Sequence, residues 1–207
     1  MPRARLVAIV AAALCGILGR GSAAQNQDQV HLLRGSPASG VILDTSPTEV
    51  TVEVRGAKRT IPVNEIRRIG FADDTPDLRR AREDILAGQW ENGLEVLKKI
   101  DPASLQRDLL RADVQYFIAY CQGRLALTGG GDKAAAATAL LEFVKGNPNS
   151  YHFYEAAQLL GDLALALDSF ENALKYYGAI ARAPWPEHKL QGAVLEASVL
   201  VAQAKYA

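Results

Sequence analysis

The chain has 207 residues, of which 23 are basic and 23 acidic, so its formal net charge is zero. A nucleic-acid-binding protein typically carries a clustered basic surface, and this balance gives no sign of one. The length is sufficient for one large or two small domains.

Residues 1–24 have the pattern of a secretory signal peptide. Arg3 and Arg5 precede an apolar run at residues 6–18, and small residues at 22–24 offer a cleavage point before Gln25. The run is shorter than the roughly 20 residues of a membrane span, so an uncleaved anchor is the less favoured alternative. We therefore predict a periplasmic or secreted protein, whose membrane contact would be limited to an uncleaved signal segment.

Cleavage at this point would leave 20 basic and 23 acidic residues, a net charge of −3. It would also remove Cys15, whose lipidation is disfavoured because the preceding Leu14 is not small. Cys121 would then be the lone cysteine, and a lone cysteine cannot form an intrachain disulfide. Since Cys121 falls on the apolar stripe of a predicted helix, we expect a buried, unreactive thiol.

Residues 25–73 have the rhythm of a small β domain. Val50, Val52 and Val54 alternate with polar residues, and four similar short runs separated by turns predict five strands. Gly40, the long strand at 50–54 and the turn IPVNEI make the segment resemble an SH3-like or Sm-like barrel. The resemblance implies a small five-stranded β-barrel with a structural or peptide-binding role. Because the polar RNA-reading loops of Sm proteins are not recognisable here, no nucleic-acid partner is expected.

Residues 76–207 read as helices folded back on one another. Thr75 suits an N-cap and Pro76 the first helical position. Apolar residues at helical spacing predict hairpins at 76–102, 105–147 and 151–184, followed by a single helix at 187–207. The glycine-rich stretch 128–132 lacks the spacing of a phosphate-binding loop and is interpreted as a flexible connection between helices.

The hairpin at 151–184 carries the clearest family signal. Leu160-Gly161 is followed by Ala173, Tyr177 and then Pro184, and this pattern resembles a tetratricopeptide repeat (TPR). The proline falls one position early, and Ala157 stands where the family prefers Trp. Gly161 predicts a close contact between the two helices, and Asp168-Ser169 an N-cap pair for the second.

Two further hairpins match the repeat less closely, and the last helix remains unpaired. Ala81, Gly88, Gly93 and Leu97 occupy equivalent places in the first hairpin, although Arg80 replaces the expected Leu. The last helix has an apolar stripe and is a plausible cap that could dock on another chain, which makes a homo-oligomer an open alternative. The stripe comprises Leu190, Ala193, Val194, Ala197, Val201 and Ala204.

The sequence contains no recognisable catalytic set. The three His residues (31, 152 and 188) have neither metal-ligand spacing nor a neighbouring Cys, and no nucleophile motif occurs. Adjacent Glu83 and Asp84 point in different directions on a helix and cannot easily share a reacting atom. We therefore predict a non-enzymatic protein without cofactor or metal.

The TPR resemblance implies a concave groove lined by the first helix of each pair. Tyr116, Tyr120 and Arg124 share one predicted face opposite the core stripe, and this composition is typical of an interface. The alternative is that both Tyr pack at the rim of the next hairpin and that Arg124 is solvated. Carried onto this chain, the groove positions are Arg82, Tyr116, Tyr120, Arg124, Gln158 and Asp162.

Together these patterns predict an α+β chain of two domains, a small barrel followed by an all-α array of TPR-like hairpins. The favoured function is an exported adaptor that binds a protein or peptide of the cell envelope in the groove. The alternatives are a self-assembling envelope subunit and an accessory domain of an envelope enzyme or polysaccharide-handling system.

Overall fold

The structure is a computed structural model that describes residues 27–206. The predicted signal peptide and its cleavage point therefore lie outside the described residues. The first part of the fold is one antiparallel sheet in the order β4-β3-β2-β1-β5, and a 3₁₀ turn at Val63–Glu65 leads into the last strand. The strands are β1 (Asp28–Leu32), β2 (Ala38–Thr45), β3 (Glu49–Val54), β4 (Ala57–Pro62) and β5 (Ile66–Gly70).

The predicted five strands are present, but the sheet is open. Val50 and Val52 are completely buried on one face of β3, as their alternation predicted. Gly40 allows β2 to lie close against β3, since a Cβ there would overlap the backbone carbonyl of Glu53. β4 and β5 are the two edges of the sheet, so strand pairing does not close it into the predicted barrel.

Within residues 27–206, seven helices follow the sheet, so the fold is α+β as predicted. Helices α1 and α2, α3 and α4, and α5 and α6 pack in pairs, and α7 packs on α6. Thr75 caps α1 by accepting a hydrogen bond from the Leu78 N–H at 3.2 Å. The helices are α1 (Pro76–Leu86), α2 (Trp90–Leu97), α3 (Asp108–Leu127), α4 (Lys133–Gly146), α5 (Phe153–Leu165), α6 (Phe170–Ala181) and α7 (Pro186–Tyr206).

Glycine at position 161 lets α5 and α6 approach closely, as predicted. A Cβ there would overlap the ring of Tyr177, with Cζ only 2.9 Å away. The turns of the first and third hairpins resemble each other, because Gly88 and Asp168, at equivalent places, both have a positive φ (79° and 54°). The predicted capping of α6 is wrong in one respect: Ser169 stands at the N-cap, but its side chain makes no capping hydrogen bond. Asp168 instead adopts the left-handed turn conformation.

The sheet and the first helices share one hydrophobic core. Val30 and Ile69 of the sheet and Leu78 of α1 belong to the same buried cluster. A buried ion pair reinforces the junction, because both Nη atoms of Arg107 donate to the Asp28 carboxylate at 2.7 and 2.9 Å. Asp28 is 1% exposed. Continuous packing of this kind couples the sheet to the helical array.

α7 turns its predicted apolar stripe outward. Val199 is buried, and Gly192 lies so close to Ala181 of α6 that a Cβ would overlap its backbone. The stripe lies on another side of the helix, where Leu190, Val194 and other members are exposed. Across residues 27–206, no helix combines the length and apolar composition needed to cross a bilayer.

Candidate functional site

A cavity of about 710 Å³ lies between the sheet and the helical array. Its walls come from β1 and β5 on one side and from α1, α3, α5 and the start of α7 on the other. The volume falls within the range of roughly 300–1,000 Å³ that is usual for ligand sites. All six residues predicted from the repeat pattern line this cavity: Arg82, Tyr116, Tyr120, Arg124, Gln158 and Asp162.

A buried polar cluster centred on Asp113 of α3 borders the cavity. Arg82 donates to Asp113 Oδ2 through Nε at 2.9 Å and Nη2 at 2.7 Å, and to Asp74 Oδ2 through Nη1 at 2.5 Å. The other oxygen, Oδ1, accepts from the Tyr151 hydroxyl at 2.5 Å and lies 3.0 Å from His152 Nε2. Asp113 is only 2% exposed, so this carboxylate is satisfied by protein groups rather than by bulk solvent.

The cluster continues to a carboxylate at the cavity surface. His152 Nδ1 lies 2.8 Å from Glu155 Oε2, and the Tyr116 hydroxyl donates to the same oxygen at 3.0 Å. The rings of Tyr116 and His152 are stacked, with centroids 3.7 Å apart. The Glu155 side chain is 64% exposed. Two buried side chains therefore hold an accessible carboxylate in one orientation.

The pKa shifts of His152, Asp113 and Glu155 favour the charged form of each group. Burial lowers the pKa of His152, but hydrogen bonds to Asp113 and Glu155 outweigh it, so the net shift is upward. Burial raises the pKa of Asp113, yet the charge of Arg82 and the His152 hydrogen bond hold it below its usual value. Desolvation by neighbouring protein atoms raises the pKa of Glu155, but the hydrogen bond and charge of His152 outweigh it, so the net shift is downward. Both ring nitrogens of His152 thus face carboxylates, which suits it to orient Glu155 rather than to take a proton from a ligand.

The remaining predicted positions form the wall beyond Glu155. The Arg124 guanidinium lies 4.8 Å from the centroid of the Trp90 ring, and burial raises the pKa of Asp162, which accepts the Tyr177 hydroxyl at 2.7 Å. Gln158 accepts a hydrogen bond from the side-chain amide of Gln191 in α7 at 2.8 Å. The last two contacts tie α5 to α6 and to α7.

Two of the six predicted positions are buried and the other four are half-buried, which corrects the expectation of an open aromatic face. Tyr116 is 1% exposed because His152 and Phe143 cover its ring, and Arg82 is 6% exposed because it is paired with buried acids. Tyr120 is half-buried, and so is Arg124. Tyr116 and Arg82 therefore shape the cavity wall and hold Glu155 and Asp113, whereas Tyr120 and Arg124 can contact a ligand.

The sequence reasoning missed the polar cluster itself. The spacing of three between His152 and Glu155 on one helix was an available signal for that pair. No local pattern connects Asp113 with His152, because 39 residues separate them. Only the packing of α3 against α5 brings them together.

The sheet supplies the facing wall. Six consecutive residues, 66–71, line the cavity, together with Gln29 and His31 of β1. The Asn64 side-chain amide donates to Glu187 Oε1 of α7 at 2.5 Å, so the turn before β5 touches the last helix. The sheet and the helices thus both contribute walls to the cavity.

The described residues offer neither a metal cluster nor an exposed thiol. In the region 27–206, no group of three or more His, Cys, Asp or Glu residues has a metal-binding arrangement. Cys121 is completely buried, as predicted, and burial raises the pKa of its thiol to about 12. A thiol in this state is a poor nucleophile, since the thiolate is the reactive form.

Comparison of the chain with protein-family models, with curated proteins and with solved structures gives no match.

Proposed function

We propose that this protein is a non-enzymatic adaptor that, after export to the periplasm or the cell exterior, binds a protein or peptide in the cavity. The observation that carries the proposal is the cavity itself, about 710 Å³, where the side chains named from the repeat pattern converge. A fixed, accessible carboxylate beside half-buried Tyr and Arg side chains is a composition suited to recognition.

The helical hairpins are proposed to be TPR-like and the sheet to be of the SH3-like or Sm-like type. Two features support the first part: the close contact of Gly161 with Tyr177, and the left-handed turn residues Gly88 and Asp168 at equivalent places. The strand order supports the second, because β5 returns beside β1 after a 3₁₀ turn.

The test is capture from an envelope extract by the full chain immobilised through its C-terminus. The groove variant carries Tyr120→Ala, Arg124→Ala and Gln158→Ala, which leave the buried Asp113 cluster intact. The matched control carries Glu142→Ala and Lys145→Ala on α4, outside the cavity lining. A partner retained by the wild type and the control but lost by the groove variant supports the proposal. Equal retention by all three proteins would contradict it.

Export is tested separately by the N-terminal residue of the protein recovered from the producing cell. An N-terminus at Gln25 in the envelope or medium is the expected result. An intact N-terminus on protein recovered from the cytoplasm would contradict the export proposal and leave the cavity argument unchanged.

Self-assembly is a second candidate, because one specific observation favours it. The exposed stripe of α7 includes Leu190, Val194 and Val201, which are 68%, 61% and 56% exposed. Concentration-dependent oligomers that disappear in a Val194→Glu variant would support this candidate, and a monomer at high concentration would exclude it.

A further inference from the structure

The free edge of β5 runs along the cavity. Among residues 27–206, β5 pairs with β1 on one side only, and the described sheet ends there. Successive residues of a strand point to opposite faces, and all of residues 66–71 line the cavity, so the cavity reaches β5 from both faces and includes its unpaired edge. Gln29 and His31 also line it, so the cavity extends over one face of β1 as well. An unpaired edge presents a row of backbone N–H and C=O groups that can pair with another strand.

The position of this edge restricts what can reach it. Helices α1, α3 and α5 line the cavity together with β5, and Asn64, just before β5, touches Glu187 of α7. A second sheet needs open space beside an edge, whereas a single extended segment of about five residues, roughly 17 Å long, matches the length of β5. The edge is therefore protected against sheet-to-sheet association and accessible to one chain.

Buried acceptors without partners flank the edge at both ends. Asn64 Oδ1 lies before β5 and Asp74 Oδ1 lies after it, and neither accepts a hydrogen bond from any described residue. The Asp74 side chain is 1% exposed, and Asp74 lines the cavity. A buried polar atom without a partner is costly, so these two acceptors favour a ligand that donates hydrogen bonds. Arg124 Nε is a buried donor that also has no partner in the described region, and it favours a ligand that accepts one. The backbone of an extended segment offers both N–H donors and C=O acceptors.

The opposite wall presents a negative charge. Glu155 Oε2 is held by His152 and Tyr116, while Oε1 makes no hydrogen bond within the described region. Tyr120 and Tyr154 also line this part of the cavity, and aromatic rings beside a carboxylate suit a cationic side chain. Arg67 and Arg68 on β5 would repel a uniformly basic segment, so a single basic residue among neutral or acidic neighbours fits both walls.

We propose that the cavity binds an extended peptide segment that adds as a strand to β5 and directs one Lys or Arg side chain to Glu155. This inference rests on the proposed adaptor function and names the chemistry of its partner. Main-chain pairing with β5 supplies affinity that does not depend on sequence, and Glu155 supplies selectivity for a positive charge.

The experiment uses the full chain and a positional-scanning library of nine-residue peptides. We expect selection of Lys or Arg at one position and no selection of consecutive basic residues. Replacing the selected Lys by norleucine should weaken binding about tenfold or more, and the Glu155→Gln variant should abolish this difference between the two peptides. Glu142→Gln, an equivalent change on the exposed face of α4, should preserve it.

N-methylated versions of the selected peptide test the strand pairing. An added strand directs only alternate N–H groups to its neighbour. Methylation at one alternate set of positions should therefore abolish binding, and methylation at the other set should be tolerated. The lysine-to-norleucine comparison on the wild-type protein keeps the charge test valid even if Glu155→Gln fails to fold.

Several outcomes would overturn the inference. The inference fails if the selected peptides show no preference for a basic residue, if methylation is tolerated at every position, or if no peptide is selected. If the groove variant still loses its captured partner in these cases, the adaptor function stands and only the peptide chemistry is wrong. If capture also fails to depend on the groove, both proposals fall.

Discussion

Replacement of Asp113 by Asn should destabilise the protein strongly. The carboxylate accepts from Arg82, Tyr151 and His152, and it is 2% exposed. An Asn side chain has one acceptor oxygen and one donor NH₂ group, so it cannot accept on both sides. Whichever way the amide points, one set of donors meets another donor in a buried site.

The expected loss follows from the charges that remain. Breaking a buried ion pair by removing one partner typically costs about 3–5 kcal/mol. Because Arg82 keeps its contact with Asp74, we expect the lower end, about 3 kcal/mol. For a chain of this size, that corresponds to a decrease in Tm of about 6–12 °C.

The assay is urea unfolding followed by far-ultraviolet circular dichroism, with the slope of the transition compared between variants. The matched control is Asp132→Asn at the N-cap of α4, where Asp132 accepts from the Ala134 and Ala135 N–H groups. Asn caps a helix about as well as Asp, so the control should change stability by less than about 0.5 kcal/mol. A loss below about 1 kcal/mol for Asp113→Asn, the size of an ordinary hydrogen bond, would refute the reasoning.

Three further predictions concern pH, packing and thiol reactivity. Because the pKa of His152 is raised on folding, protonated His152 stabilises the folded state fully below about pH 6.5, and this stabilisation is lost as the pH rises through the pKa of the folded state. The difference in unfolding free energy between wild type and Asp113→Asn should therefore shrink from pH 5.5 to 9 in the same assay. A difference that stays constant would argue against a charged His152. Gly161→Ala should lower the free energy of unfolding, measured in urea, by about 1–2 kcal/mol, because overpacking against Tyr177 outweighs the gain in helix propensity. In the control Gly146→Ala the added Cβ meets no atom within 4 Å, so this variant should be as stable as the wild type or more stable. Equal effects of the two substitutions would refute the close contact at Gly161. The peptide containing Cys121 should remain unlabelled by iodoacetamide at pH 8 in the native state and become labelled in urea, as read by mass spectrometry, and rapid native labelling would contradict its burial.

Local patterns were sufficient for the elements of the fold. Alternation of Val50 and Val52 predicted a buried strand face, and helical spacing together with Thr75 predicted where the array begins, because these signals depend on neighbours in sequence. Gly161 predicted a close contact between helices. A glycine inside a helix lowers helix stability, and close packing of a neighbouring helix can offset this cost. The six positions named from the repeat resemblance all line one cavity.

Tertiary structure alone decided how the cavity is built. Tyr116 and Arg82 are of residue types typical of exposed interfaces, but residues distant in the sequence pack over them and bury them. The pairing of Asp113 with His152 depends on the packing of α3 against α5, and the placement of β5 along the cavity depends on the core shared by sheet and helices. Periodicity shows which face of an element is apolar, whereas long-range packing and desolvation determine which polar groups meet inside it, and no local pattern of the chain encodes those encounters.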